Sequence, residues 1–212
     1  MSPRIVHNSA LQPDLHRNII VLPANMQLDI ETSTLQSLYY QMQANTNLHL
    51  PLPLNSPGQP QRLSYQARLA QVKSESKENM TRTIRSFINS TSISKSNQML
   101  IKAGFSPLDH SAWKRSMQII YDSQNGLFDP ATVLKIGKMA NAQSILVLNF
   151  DIRVHEGMVQ DAADIAIDAK IIDTQRGVLL AIGSVQNENL PLKRKSIEQT
   201  LELLFANFQP FS

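Results

Sequence analysis

Cysteine is absent from the 212 residues, and its absence removes several kinds of chemistry at once. Without a thiol the chain forms no disulfide framework, no thiolate metal site and no cysteine nucleophile. Glycine is scarce, with 7 residues, and no glycine pattern typical of phosphate or dinucleotide binding occurs. We therefore expect no nucleotide cofactor.

Charge of one sign and long apolar runs are also in short supply. The formal net charge is +3, which is too small an excess to indicate nucleic-acid binding. No run approaches the roughly 18 apolar residues that span a bilayer, and the first 17 residues lack the pattern of a signal peptide. We expect either an exported chain whose signal has been removed or, if Met1 is the native start, a cytoplasmic protein.

Apolar residues make up 42% of the chain, which is enough for a substantial core. Their spacing predicts strands where they run together or alternate with polar residues, and helices where they recur every three or four positions. The predicted strands cover residues 18–23, 144–154, 164–172 and 178–185, and the predicted helices cover residues 64–88, 94–103, 111–120, 130–140 and 192–208. The polar residues 73–79 form either a solvated turn or a part of the first helix that projects from the core. The order predicts an α+β (α/β) sandwich, in which helices pack on a largely antiparallel sheet that ends in a three-strand meander and a helix.

The chain is predicted to hold a single α/β domain over residues 18–212, preceded by an extended lead-in over residues 1–17. Residues 24–62 form an irregular, proline-containing stretch of that domain, although Met26, Leu28 and Ile30 alternate with polar residues as in an extended segment. Gly104 is expected to end the helix before it, because glycine favours that position.

Residue types used in catalysis are present, but their spacing favours structural roles. Asp109-His110-Ser111 places the members of a catalytic triad side by side, whereas a triad needs them to converge from separate positions. The five histidines form no pair at the spacing of metal ligands. We therefore expect no catalytic, cofactor-binding or metal-binding residues, and no enzymatic activity.

Two alternatives remain open. Asp151 and Asp168 stand on neighbouring predicted strands and would suit a carboxylate-dependent hydrolase if they face each other. The interleaving of Arg153 and Lys170 favours instead a solvated sheet face, on which these carboxylates have no catalytic role. Small basic groups suit a weak nucleic-acid-binding module, although solvated helix ends explain these groups too. The basic groups lie at residues 114–115, 135–138 and 193–195.

A leucine–proline segment is the most suggestive candidate for binding a partner. It places apolar side chains on a stiff chain that cannot join a central strand, with two tyrosines nearby. The segment either contacts a partner protein or covers a sheet edge of its own domain. The candidate residues are Tyr39, Tyr40, Leu50, Leu52 and Leu54.

Four stretches together resemble the CsgG/LpoB-type domain of periplasmic lipoproteins. They are residues 19–23, 128–138, 140–147 and 171–179. Asn141 stands where that family usually has a glycine, and residues 24–62 are longer than the simple family pattern. The resemblance covers roughly residues 64–187 and the first strand.

The resemblance implies a non-catalytic accessory or scaffold protein of the bacterial cell envelope. Such a protein acts by contact with protein partners, as a subunit or regulator of a secretion machine or a peptidoglycan synthase, and a second copy is a further candidate partner. It implies a periplasmic, outer-membrane-associated location, with membrane attachment only through a lipid anchor that this chain does not contain. Neither nucleic acid nor a cofactor is implied.

Overall fold

The computed structural model describes residues 4–7, 13–31, 65–109, 130–155 and 162–206. Within these ranges the strands are β1 (Arg4–His7), β2 (Asn18–Val21), β3 (Asn25–Ile30), β4 (Ser106–Pro107), β5 (Ser144–His155), β6 (Ala162–Asp173) and β7 (Leu179–Pro191). The helices are α1 (Pro13–His16), α2 (Tyr65–Lys102), α3 (Pro130–Met139) and α4 (Arg194–Phe205).

The described strands join one mixed sheet in the order β1-β7-β6-β5-β2-β4, and β3 pairs with β5 farther along that strand. β5, β6 and β7 form the predicted antiparallel meander, and β1 adds antiparallel to β7. β2 and β3 run parallel to β5, and β4 runs parallel to β2. The predicted α+β sandwich is confirmed, whereas its parallel part was not predicted.

One face of the sheet carries the larger core. Alternate residues of β5 and β6 point to this face, among them Phe150 and Ile167, which are buried. Helices α2 and α4 cover it, since Ile88, Leu100 and Leu201 belong to the same buried cluster. The alternation predicted for these strands and the apolar stripe predicted for the last helix therefore meet in one core.

The opposite face is covered by α3 at one end. Val133 and Ile136 of α3 pack with Ile20, Ile145 and Val147 in a second, smaller buried cluster. Helix α3 begins at Pro130, as the sequence predicts for a proline at the first helical position. Gly137 is also buried on the inner face of this helix, whereas Met139 is exposed.

Helix α2 is one continuous element of 38 residues, so the prediction of a separate helix at residues 94–103 was wrong. The end of this helix was predicted correctly. Gly104 has a φ of 88°, and its N–H donates to the carbonyl of Ile101 at 3.1 Å. The N–H of Phe105 donates to the carbonyl of Leu100 at 2.9 Å, which completes a Schellman cap.

The N-terminal residues differ from the expected lead-in where the structure describes them. Arg4–His7 is a strand at the edge of the sheet, and Pro13–His16 is a short helix. His16 is buried at the end of this helix, against Asp173. The segment is extended only in part, because pairing with β7 and burial of His16 tie it to the sheet.

The helix predicted over residues 111–120 lies outside the described residues, and the division of the chain into a lead-in and one domain stays a prediction. Among the helices that the structure describes, none combines the length and the apolar character needed to cross a membrane.

Candidate functional site

The candidate site lies on the sheet face that bears α3, beyond the end that α3 covers. We call this region, on β3, β5, β6 and β7, the open face. Strand register places its side chains in rows that cross the strands. The rows are Asn25, Asn149, Asp168 and Ser184; then Gln27, Asp151, Ala166 and Gln186; then Asp29, Arg153 and Asp164.

A groove of about 270 Å³ runs over the β3, β5 and β6 positions of the first two rows. Ala166 is the smallest side chain of the groove. It lies opposite Asp151, and the neighbouring positions carry longer polar side chains. The methyl group of Ala166 therefore leaves room above the sheet for a ligand group. The side chains of the open face that line the groove are Asn25, Gln27, Asn149, Asp151, Ala166 and Asp168.

The first row is ordered by an amide pair. Nδ2 of Asn25 donates to Oδ1 of Asn149 at 2.8 Å, and both side chains are half-buried. This bond joins β3 to β5 through side chains at the point where the two strands begin to pair. Asp168 is the cross-strand partner of Asn149, so a carboxylate lies next to the amide pair in the same row.

The third row contains its own charge compensation. Nε of Arg153 lies 4.0 Å from Oδ2 of Asp29, and Arg153 is also the cross-strand partner of Asp164. Oδ1 of Asp164 accepts the backbone N–H of Asn189 at 3.0 Å and lies 3.3 Å from Nε2 of His155. The N–H of Asn189 lowers the pKa of Asp164 most, and His155 and Arg153 lower it further against the opposing effect of burial.

Asp151 and Asp168, in the groove, have no such compensation. Both are exposed, and no described residue forms an ion pair with either carboxylate. They are diagonal neighbours rather than directly opposed, because Asp151 faces Ala166 and Asp168 faces Asn149. Diagonal neighbours on adjacent strands are roughly 7–8 Å apart, so one ligand group can reach both.

The hydrolase hypothesis placed Asp151 and Asp168 on facing positions, and the structure gives them the same face in diagonal positions. Arg153 and Lys170 share this face, as the solvated-face interpretation predicted. No described His, Asp or Glu residues gather in a group of three or more that could hold a metal ion. The expectation that the chain has no enzymatic activity stays a prediction.

The leucine–proline segment and its tyrosines fall outside the described residues, which leaves that prediction as it stood. These residues are Tyr39, Tyr40, Leu50, Leu52 and Leu54. His110 and Ser111 also lie outside, whereas Asp109 is described and exposed. Of the basic groups, those on α3 and at the start of α4 are exposed, and Nε of Arg194 bonds to Glu198 at 2.8 Å.

Three residues of the groove were not predicted from the sequence, namely Asn25, Gln27 and Asn149. A signal for the first two existed, because the alternation of Met26, Leu28 and Ile30 puts their neighbours on the other face. The pattern does not show which strand pairs with residues 25–30. The parallel pairing with β5 brings these amides beside the carboxylates, and it follows from the tertiary fold alone.

A second polar contact was also missed, between residues 157 positions apart. Nε2 of His16 lies 3.2 Å from Oδ2 of Asp173, and both side chains are buried. Oδ1 of Asp173 accepts the backbone N–H groups of Gln175 at 2.7 Å and Arg176 at 2.9 Å. Burial acts to raise the pKa of Asp173, but these two N–H groups and His16 outweigh it, so the pKa lies below its ordinary value.

No protein-family model and no curated protein matches the chain. Several solved structures align with most of the chain at low identity. A PelC dodecamer from Paraburkholderia phytofirmans has 10% identity and a TM-score of 0.44, over 99% of this chain and 98% of that one. The LpoB C-terminal domain from Salmonella enterica has 8% identity and a TM-score of 0.36, over 84% of this chain and 86% of that one.

A lipoprotein from Neisseria meningitidis has 11% identity and a TM-score of 0.36, over 87% of this chain and 92% of that one. At these values the similarities assign neither a family nor a function to the chain. An LpoB domain is among these structures, but at its TM-score the CsgG/LpoB-type resemblance stays a prediction.

Proposed function

We propose that this chain is a non-catalytic accessory protein of the bacterial cell envelope that acts by protein–protein contact. It serves as a subunit or a regulator of a larger complex, of the class of secretion machines or peptidoglycan synthases. The envelope assignment rests on the sequence resemblance to CsgG/LpoB-type domains. The mode of action rests on the open face.

The observation that carries the proposal is that the sheet face bearing the polar groove also has exposed apolar side chains near it. Val6 on β1 and Ile182 on β7 are cross-strand partners on this same face, and they are 51% and 37% exposed. A polar patch beside exposed apolar side chains is typical of a surface that binds another protein. The open face therefore supplies a contact surface that is held by a rigid sheet.

The proposed location is the periplasmic side of the outer membrane. A single acyl chain attaches a protein to a membrane weakly, so an anchor and the partner would share the attachment. Attachment through both an anchor and a partner is compatible with the open face, which offers the partner a surface to bind. The partner then determines where in the envelope the protein is held.

The proposal is tested by purifying the tagged protein from its native envelope after gentle cross-linking and identifying its companions by mass spectrometry. The matched control is an unrelated periplasmic protein with the same tag. We expect a large envelope assembly or a cell-wall synthase to be enriched over this control. Recovery with cytosolic proteins or RNA alone would contradict the envelope assignment.

A further inference from the structure

The chemistry of the groove on the open face indicates which kind of side chain a protein partner would place there. We propose that it receives a basic side chain of the partner, with arginine the best fit, between the carboxylates of Asp151 and Asp168. The inference rests on the proposed function, because the ligand is a segment of a protein partner. It adds the site on this chain and the chemistry of the partner segment.

Charge is the first observation behind this inference. Among the other described acidic side chains, Asp29, Asp173 and Glu202 have a cationic or histidine partner, whereas Glu31 and Glu188, which lie outside the groove, form no ion pair. Asp151 and Asp168 have none among the described residues, although the chain as a whole carries a net positive charge. Two uncompensated carboxylates on one face attract a cation and disfavour an acidic ligand.

The nearest basic residue on β5 does not supply that cation. Arg153 belongs to the third row, where it lies beside Asp29 and opposite Asp164. Lys170 lies on the same strand as Asp168, two residues beyond it, and no ion pair joins them in the described structure. The negative charge of the groove is therefore available to a partner.

Shape and hydrogen bonding favour arginine over other cations. A guanidinium group presents five N–H donors in one plane and binds carboxylates with two parallel bonds. The groove offers two carboxylates at diagonal positions and the exposed amide of Gln27 as acceptors around the small Ala166. A planar group inserted over Ala166 satisfies acceptors on three strands at once.

The test uses the full chain in its native envelope, with a photo-reactive amino acid at Ser184. This exposed residue is the cross-strand partner of Asp168 and does not line the groove. Two further versions carry the same group at Ile182 on β7 and at Leu203 on α4, both of which are exposed. Cross-linked peptides are sequenced by mass spectrometry, so the readout is the partner segment itself.

We expect Ser184 to cross-link to a partner segment that contains arginine or lysine, and Leu203 not to cross-link to that segment. The double variant D151N/D168N should reduce the Ser184 cross-link about tenfold, because the amides keep the shape and remove the charge. The matched control is E188Q/E198Q, which removes two carboxylates outside the groove. This control should leave the cross-link unchanged.

Once the segment is known, a synthetic peptide of it allows the pairing to be measured directly. Replacing its basic residue by glutamine should weaken binding about tenfold in the unaltered protein and change little in D151N/D168N, since the partners of a contact are coupled. Charge reversal in D168K should be rescued by glutamate in the peptide. Independent effects of the two changes would overturn the inference.

The inference also fails if the segment contains no basic residue, if D151N/D168N leaves the cross-link intact, or if the partner at Ser184 is a second copy of this chain. The two proposals fail in different ways. Cross-links to an envelope protein from Ile182 or Leu203, with none from Ser184, would leave the proposed function standing and remove the groove. No protein cross-linked from any of these positions would contradict both.

Discussion

A buried polar group lowers the stability of the fold where it has no hydrogen-bond partner. Ser96 on α2 is fully buried, and its hydroxyl has no hydrogen-bond partner among the described residues. Ser92, one turn earlier, is equally buried, but its hydroxyl donates to the carbonyl of Asn89 at 3.1 Å. The two serines therefore form a natural pair for comparing a satisfied and an unsatisfied hydroxyl.

Ser96→Ala should raise the free energy of unfolding by about 1 kcal/mol, because a buried hydroxyl without a partner is costly and alanine favours a helix. Ser92→Ala should give no such gain, since it removes a bonded hydroxyl. Urea unfolding of both variants measures the difference. A larger loss of stability in Ser96→Ala than in Ser92→Ala would contradict the prediction.

Asn141 follows α3 with a φ of 52°, a backbone conformation that favours glycine. The N–H of Ala142 donates to the carbonyl of Gly137 at 3.0 Å, so the helix ends in a Schellman cap with asparagine in the left-handed position. This geometry explains why asparagine can stand where the resembling family usually has glycine. Asparagine tolerates the conformation better than other residues with a side chain do.

Asn141→Ala should lower the free energy of unfolding by about 1 kcal/mol, because alanine pays the full cost of the left-handed conformation. Asn141→Gly should be neutral or slightly stabilising for the opposite reason. Thermal unfolding of the two variants distinguishes them. Equal midpoints for the alanine and glycine variants would show that the backbone conformation does not limit stability.

At the scale of elements, close contact between α3 and the sheet depends on one missing side chain. Gly137 is buried on α3, and a Cβ atom placed there would lie 2.4 Å from Cδ1 of Ile145. It would also lie 2.6 Å from Cγ2 of Thr174, at the turn between β6 and β7. The glycine lets the helix lie directly on the sheet at the end opposite the groove.

Gly137→Ala should therefore destabilise the protein by about 1–2 kcal/mol, because overpacking outweighs the better helix propensity of alanine. Adding Ile145→Val removes the closest methyl group and should recover part of the loss, so the two changes should be non-additive. Chemical denaturation of the single and double variants measures this coupling. Simple additivity would argue against a direct clash.

At the scale of the whole molecule, residues near the N-terminus pack against the C-terminal strands of the sheet. The N-terminal strand β1 lies at the sheet edge beside β7, and α1 delivers His16 to the turn that joins β6 to β7. The hydroxyl of Ser144 donates to the backbone carbonyl of His16 at 2.8 Å, which holds the same segment against the start of β5. These contacts link residues near the N-terminus to the C-terminal hairpin.

Asp173 makes this link dependent on pH. Its pKa is lowered on folding, so its contribution is fully present above its ordinary value of 3.8 and is lost as the pH falls through the lower folded value. Asp173→Asn should be less stable than the unaltered protein near neutral pH, and the difference should shrink below a pH of about 4.

Urea unfolding at several pH values between about 7 and 3 tests this prediction. Asp164 and Glu202, whose pKa values are also lowered, remain in both proteins, so the difference between the curves isolates Asp173 and its contact with His16. Curves that stay parallel at all pH values would show that the charge of Asp173 does not stabilise the fold.

Local patterns were sufficient for strands β2, β5, β6 and β7, for helices α3 and α4, and for the faces of these strands, but not for β1, α1 or the continuity of α2. The alternation of Ile165, Ile167 and Ala169 with polar residues predicted which side of β6 is buried, and the structure confirms it. The glycine after α2 and the proline at the start of α3 marked helix ends for reasons that act within a few residues. Periodicity and backbone conformation are short-range properties, so the sequence determines them directly.

Only the tertiary structure decided which elements meet. The parallel pairing of residues 25–30 with β5 brings Gln27 beside Asp151, and the return of the N-terminus brings His16 to Asp173. The same alternation is compatible with several strand neighbours, because it specifies a face and not a partner. The groove is a product of that choice of neighbours: its residues come from three strands, and packing of the whole sheet sets them side by side.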